Sequence, residues 1–394
     1  MDLKLLEYQA KELFDRYGLA TPKGLVLSSK EGAAEMVASA GLAYPVVVKA
    51  QVQAGGRGKA GGVQFANNPK ELGEIVNALL FSKLKGMQVH QLLVVEKVDA
   101  GMEWYLSILL DRDAYMPTII FSPSGGMEIE ETVRVNPEAI VKVNVNPLVG
   151  VTDYTAQYLI SKSEIDVCYL PAFKKLLESL YRLFTENDCL LAEINPVAVG
   201  VDGSFTAIDG KIDIDDSALY RLADIARFRD ALHEPPLVVE ARSFRFLYVR
   251  LKLEGRVAVM SNGSGMLMSM IDLLTSEGVP VACALDLGGG ATKDRIREAV
   301  RIVLSTPGVD MLFICIFGGI TRCDEVAEGI RLALETDTNA GSKTIVVRME
   351  GTNKQAGLEI IGHTPGAVSI GGIVDGVRTV TQMLKSHGGK GDFS

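Results

Sequence analysis

The chain has 394 residues, 47% of them hydrophobic and 23% charged, with a net charge of −9. That length holds two or three domains, each with a full core. The acidic balance argues against a general nucleic-acid binder, whose affinity comes from neutralising phosphates with cations, and the longest apolar run, Met311–Phe317, is too short to span a bilayer.

Leu3, Leu6, Ala10, Leu13 and Phe14 recur at helical spacing and predict a helix over 2–17, stopped by Gly18. The acids Asp2, Glu7, Glu12 and Asp15 are unlike a secretory or transit leader. Five cysteines, at 168, 189, 283, 315 and 323, form no C-x-x-C pair, so reduced thiols and a cytoplasmic location are expected.

A short strand around Leu25–Leu27 and a helix over 31–40 follow. The stretch YPVVVKAQVQAGGRGKAGGVQF, 44–65, is the most informative of this half. A β-branched strand ending at Lys49 leads into glycines at 55, 56, 58, 61 and 62 with Arg57 and Lys59 among them. Glycine lets backbone N–H groups approach an anion closely, and three cations beside them suggest a polyphosphate. Gly56, Gly58 and Gly61 spell G-x-G-x-x-G, but Val63-Gln64-Phe65 reads as a strand where a dinucleotide fold opens a helix. Walker A fails too, because Ala60 follows Lys59. A strand–glycine flap–strand remains, either over phosphates or as a mobile hairpin loop with solvated cations.

A helix over 69–83 and strands at 90–98, 103–111 and 116–122 come next, an α+β texture without strict alternation. Helices around 152–162 and 171–186 lead to the hairpin CLLAEINPVAVG-VDG-SFTAIDGKIDID, closed by a loop with Gly203 in the left-handed position. Counting from that loop sets Asn195 opposite Asp209 and Glu193 opposite Lys211. Strand alternation then assigns Ala192, Ile194, Pro196, Ile208, Ile212 and Ile214 to a core face, and Glu193, Asn195, Asp209, Lys211 and Asp213 to a polar one. A carboxamide beside a carboxylate is a hard-oxygen pair suited to Mg²⁺. A solvated polar face with a Glu–Lys pair is the alternative.

Helical character over 217–230 gives way to HEPPLVVEARS, 233–243, the best candidate boundary. Beyond it the strands VAVMS, VACAL, DMLFICIF, TIVVR and AVSIG alternate with helices over 264–277, 292–305, 321–336, 352–362 and 373–386. This predicts a five-stranded parallel, flavodoxin-like α/β sheet whose ligands sit at the carboxyl ends of its strands. Those ends are SNGSG, DLGGGATK, FGGITRCD and MEGTN, each feeding a helix N-terminus that favours an anion. Ordinary tight turns would need the same glycines. Thr321 and Asp324 have capping-box spacing, and Arg322 in the first turn opposes the helix dipole, which a docked anion would explain.

From EYQAKELFDRYG through VVKAQVQAGGRGKAGG, LLAEINPV, AIDGK and DLGGGATK to FGGITRCDEVAEGI, the sequence resembles the β subunit of succinate–CoA ligase (succinyl-CoA synthetase) along nearly its whole length. The resemblance implies an N-terminal ATP-grasp domain, 1–235, and a flavodoxin-like CoA-ligase domain, 245–394. It implies nucleotide contacts at Lys49, Gly56, Arg57, Gly58, Glu96, Val98 and Glu103, Mg²⁺ ligands at Asn195 and Asp209, and a catalytic carboxylate at Glu193. Asn262, Gly319, Ile320 and Thr321 would meet substrate or a phosphohistidine. Substrates would be ATP (or GTP), CoA and a diacid. The phosphorylated histidine would come from an α subunit, in αβ or α2β2, because none of His90, His233, His363 and His387 lies in a nucleophile motif.

The family pattern NYVxLDGxIGxxxNGAG reads FLYVRLKLEGRVAVMSNGSG here, with Leu247 for Asn and Ser264 for Ala, and Gln53 stands where His is common. These departures leave malate–CoA ligase open beside succinate–CoA ligase. A single-chain ATP-grasp carboxylate ligase and a non-catalytic scaffold subunit are further alternatives. The first is disfavoured by the GGITRCD domain and the second by intact Lys49, Glu193, Asn195 and Asp209.

Overall fold

A computed structural model describes residues 2–336 and 343–387. The chain forms two compact units, Met1–His233 and Glu234–Ser394.

Besides a two-stranded ribbon of Lys83–Leu84 with Met87–Gln88, the first unit carries two main antiparallel sheets. The smaller runs in the order Gly24–Leu27, Leu92–Glu96, Val46–Ala50, Val63–Ala66. Val46, Val48 and Ala50 are fully buried, so this strand is central and its β-branched run is sealed on the core side. The larger sheet runs Asp2–Lys4, Gly210–Asp215, Cys189–Val199, Met102–Asp111, Met116–Ser122, Val141–Asn144, with Phe205–Ala207 added along Cys189–Val199. Its core is aromatic: Trp104, 1% exposed, sits edge-on to Phe121 at 5.5 Å and to Phe173 at 5.9 Å between ring centroids. Phe173 belongs to the helix Leu170–Glu186, whose Phe173, Leu176, Leu177, Leu180 and Phe184 repeat at i, i+3, i+4 and press one stripe onto the sheet.

Three expectations need correction in this unit. Residues 2–4 are a strand, with Leu3 opposite Ile214, and the helix is only Glu7–Arg16. The alternation exposed–buried–exposed over these three residues fits a sheet edge, and pairing along Gly210–Asp215 overrides helical spacing. The helical character over 217–230 is present only in short pieces, an α-helix at Ala223–Ala226 flanked by 3-10 helices at Asp216–Ala218 and Arg227–Ala231. In the hairpin, Glu193 does face Lys211, and the Asn195 N–H donates to the Asp209 carbonyl at 3.1 Å. The pleat then changes phase between Ile194 and Val197, where the register shifts. Val197, Val199 and Ala207 therefore enter the core, while Pro196 and Ile208 are only half-buried.

The second unit is a six-stranded sheet in the order Leu247–Arg250, Val281–Asp286, Val257–Ser261, Met311–Phe317, Thr344–Glu350, Ala367–Ser369. The last five are parallel, as the buried apolar runs predict, and the first is an antiparallel edge strand that the sequence did not suggest. Numbered by sequence, the parallel strands lie 2-1-3-4-5, the doubly wound order, with its switch point between Val257–Ser261 and Met311–Phe317. Helices cover both faces: Lys293–Leu304 and Cys323–Thr336 pack on one, Ser264–Ser276 and Ile373–His387 on the other. The Pro-rich stretch is a helix, Pro236–Ser243, whose Ala241 is buried in the core of this unit.

Candidate functional site

In the first unit the residues singled out from sequence converge around the glycine flap. Lys49 is the next-to-last residue of the central strand Val46–Ala50, with its ammonium buried. Its Nζ donates to the Glu7 carboxylate at 2.7 Å and to the Ile208 carbonyl at 2.9 Å. Gly56 and Gly61 have φ of +65° and +78°, conformations that glycine adopts freely, and they fold the loop back toward the sheet. This carries Arg57 inward. Its Nη2 donates to both Asp209 carboxylate oxygens, at 3.0 and 3.1 Å, and lies 2.9 Å from Glu7. The flap and the hairpin thus meet through one guanidinium.

A third wall is the segment 123–131. Asn195 Oδ1 accepts the Gly126 N–H at 2.9 Å, and its Nδ2 donates to the Met127 carbonyl at 2.9 Å. A Cβ on Gly126 would fall 2.5 Å from the Glu103 carboxylate, so Glu103 borders the same corner. Lys59 pairs with Glu131 at 3.3 Å, and a Cβ on Gly56 would come within 3.4 Å of Glu128. Glu96 and Val98 stand apart from this cluster. Glu96 pairs with Val46, three residues before Lys49, and its carboxylate accepts the Ala43 N–H at 3.3 Å.

The electrostatics are those of an anion seat beside a cation seat. Glu7 is desolvated, but Lys49 and Arg57 overcome that and hold its carboxyl below the usual range. Asp209 is pushed up by burial and by Glu7, against the pull of Arg57 and Lys49. Glu193 is also raised, by burial first and then by Asp209, Glu130 and Glu128, with Lys211 opposing. Both carboxyls stay above their ordinary pKa even with Arg57 beside Asp209 and Lys211 opposite Glu193, and a hard cation would relieve that crowding. Asn195 keeps a second carbonyl lone pair beyond the Gly126 bond, so carboxamide and carboxylate oxygens together fit such an ion.

Glu7 was missed in the sequence reading. The signal was present: Leu3, Glu7, Ala10 and Phe14 fall on one helical stripe, and an acid on an apolar stripe needs a buried partner. The 123–131 segment carried no comparable signal, since its role comes from backbone atoms of Gly126 and Met127.

In the second unit Asn262 sits at the switch point. Its carboxamide donates to the Phe317 carbonyl at 2.8 Å and accepts the Phe317 N–H at 3.1 Å, tying the two strand ends together. Thr321 is buried and its hydroxyl accepts the Gly290 N–H at 3.0 Å, so the capping box expected with Asp324 does not form. Asp324 instead receives Arg322 at 2.5 Å and Asn353 at 3.1 Å. That pair explains Arg322 without a docked anion. Gly318 answers to packing: a Cβ there would meet Cys323 Sγ and the Glu350 carbonyl, both at 2.9 Å. A Cβ on Gly319 meets nothing within 4 Å, and the neighbouring Ile320 is 89% exposed. His363 Nδ1 lies 2.8 Å from the Glu359 carbonyl, a local contact within its own helix. The side chain of His387 lies outside the described residues. No described helix is long and apolar enough to cross a membrane.

Residues 4–199 match the ATP-grasp domain family and residues 260–367 the CoA-ligase family. The β subunit of an ADP-forming succinate–CoA ligase from Desulfatibacillum aliphaticivorans is 41% identical, over 92% of this chain and 94% of the relative. A GDP-forming counterpart from Thermus thermophilus is 40% identical over 92% and 94%. ATP citrate lyase from Methanothrix soehngenii, solved with citrate and coenzyme A, shares the fold with a TM-score of 0.75 at 18% identity, over 98% of this chain and 100% of that one. At 41% identity across almost its full length, with both domains in order, the chain belongs to the succinate–CoA ligase β-subunit family.

Proposed function

We propose that this chain binds the nucleotide for a dicarboxylate–CoA ligase, ATP + succinate + CoA ⇌ ADP + phosphate + succinyl-CoA, together with an α subunit that carries the phosphorylated histidine and the CoA site. The observation that supports this best is that Arg57 of the flap lies on Asp209 of the hairpin, with Lys49 joined to the same Glu7 and to the Ile208 carbonyl next to Asp209. The 1–235 domain would hold the nucleotide, with Gly56, Arg57, Gly58 and Lys49 on the phosphates and Glu96, Val98 and Glu103 toward the nucleoside. Glu96 pairs three residues from Lys49 along one strand, a span of about 10 Å, which suits the distance from base to phosphates. Asn195 and Asp209 would hold Mg²⁺, which neutralises the phosphate oxygens when bound. Glu193, whose carboxyl is raised by burial and by the neighbouring carboxylates into a more basic range, is suited to accept a proton from the partner's imidazole and orient it for in-line transfer. Phosphoryl transfer needs alignment and charge neutralisation more than covalent help from this chain.

The domain 245–394 would present Asn262, Gly319, Ile320 and Thr321 to the phosphohistidine and the α subunit. The exposed Ile320 above the switch point supports a covered surface there. Free thiols at all five cysteines suit a reducing cytoplasm. Two of the three departures from the family pattern converge on one residue: Leu247 pairs with Asp286, and the Ser264 hydroxyl donates to the Asp286 carboxylate at 2.5 Å. This favours testing malate as a second diacid. Co-expression with the α subunit, followed by a panel of dicarboxylates with CoA and ATP or GTP, tests the reading. Succinate- or malate-dependent ADP release that requires the α subunit is expected. Turnover by the isolated chain, or none with any diacid, would overturn it.

A further inference from the structure

Asp209, which the reading above assigns to the metal, is not free to take one. Both its oxygens are engaged by Arg57 Nη2, at 3.0 and 3.1 Å, while the same nitrogen lies 2.9 Å from the buried Glu7. Glu7 in turn holds Lys49 at 2.7 Å. An arginine paired to a carboxylate on each side has no reason to leave, and a divalent cation arriving alone meets a carboxylate already neutralised. A polyphosphate changes the balance, because it offers the guanidinium further oxygens at higher charge density.

We propose that Arg57, anchored on Glu7, is a latch on Asp209: it keeps the metal position closed until a nucleotide's phosphates draw the guanidinium away, so that the divalent ion enters only with the nucleotide. Glu7 is the positioning residue in this device. Its second carboxylate oxygen keeps Arg57 within reach of both Asp209 and the phosphates, and its first keeps Lys49 aimed beside them. The consequence is that free divalent ions at cytoplasmic concentration do not fill the site, and the empty subunit does not hold metal against its partner's incoming phosphohistidine. A ligand shifts such an equilibrium only by its differential affinity for the two states, and the phosphates bind the released guanidinium alone.

This rests on the nucleotide-site assignment, and the test separates the two. Binding of Mn²⁺, as a paramagnetic stand-in for Mg²⁺, is titrated on the full chain by electron paramagnetic resonance, with and without ADP. Wild type should bind Mn²⁺ weakly alone and more tightly with ADP. Arg57→Ala should bind free Mn²⁺ at least about tenfold more tightly than wild type, the scale of losing one charge-assisted pair. Lys59→Ala removes the same charge from the same flap but touches Glu131, and should leave free Mn²⁺ binding unchanged. Adding Asp209→Asn to Arg57→Ala should abolish the gain. An unchanged Arg57→Ala, an equal gain in Lys59→Ala, or a gain that survives Asp209→Asn would each overturn the latch. Failure of wild type to bind ADP at all would instead overturn the nucleotide site beneath it.

Discussion

Glu193 faces a lysine across the hairpin and is nonetheless pushed up in pKa, because burial and the carboxylates Asp209, Glu130 and Glu128 outweigh Lys211. Such a carboxyl destabilises the folded chain wherever it must ionise. Its cost is absent below the unfolded glutamate pKa of about 4.3, grows as pH rises toward the raised folded value, and is constant above it. Glu193→Gln should therefore raise Tm relative to wild type at pH 8, and the difference should shrink to nothing by pH 4. A variant that melts below wild type at pH 8 would show that the Lys211 pair dominates. The same substitution removes the proton acceptor, so labelled phosphate from ATP should reach the partner's histidine at least about tenfold more slowly. Stability gained with transfer lost is the signature of a group kept for chemistry. Glu7 runs the other way: its lowered pKa contributes stability that is present at neutral pH and lost as pH falls through the folded value.

At the scale of elements, the hairpin was legible up to Asn195 because turn chemistry fixes register, and Gly203 does take the left-handed conformation with φ +80°. The phase change after Asn195 was not legible, since a period-two pattern carries no mark of a bulge when the residues on both sides are apolar. The five parallel strands could be read from their runs. The edge strand Leu247–Arg250 could not, because it borrows its pairing from Val281–Asp286. Thr321 looked like a cap, yet its partner Gly290 lies 31 residues back, beyond any local rule. Gly210 shows how tightly helix and hairpin are fitted: a Cβ there would lie 2.2 Å from the ring of Phe14, which is fully buried. Gly210→Ala should cost about 1–3 kcal/mol in urea unfolding, the usual price of overpacking. It should also weaken nucleotide binding, because Asp209 is its chain neighbour. Unchanged unfolding would mean that Phe14 has room to turn.

On the scale of the whole molecule, the two units carry separate cores, and every contact assembled around Lys49, Arg57, Glu193, Asn195 and Asp209 comes from the first. A ligand that binds the native state stabilises by RT ln(1 + [L]/Kd), about 2.7 kcal/mol at a hundredfold excess over Kd, but only in the parts whose opening releases it. Saturating ADP with Mg²⁺ should therefore slow amide exchange in three stretches: the strand and flap from Val46 to Ala66, the segment 123–131, and the hairpin from Glu193 to Lys211. The parallel strands Val257–Ser261, Met311–Phe317 and Thr344–Glu350 should exchange as before. Adding the α subunit without nucleotide should do the reverse, protecting the loops that carry Asn262 and Ile320 at the switch point. Protection by nucleotide in those loops alone would move the nucleotide out of the grasp domain, and with it the roles assigned to the flap and the hairpin.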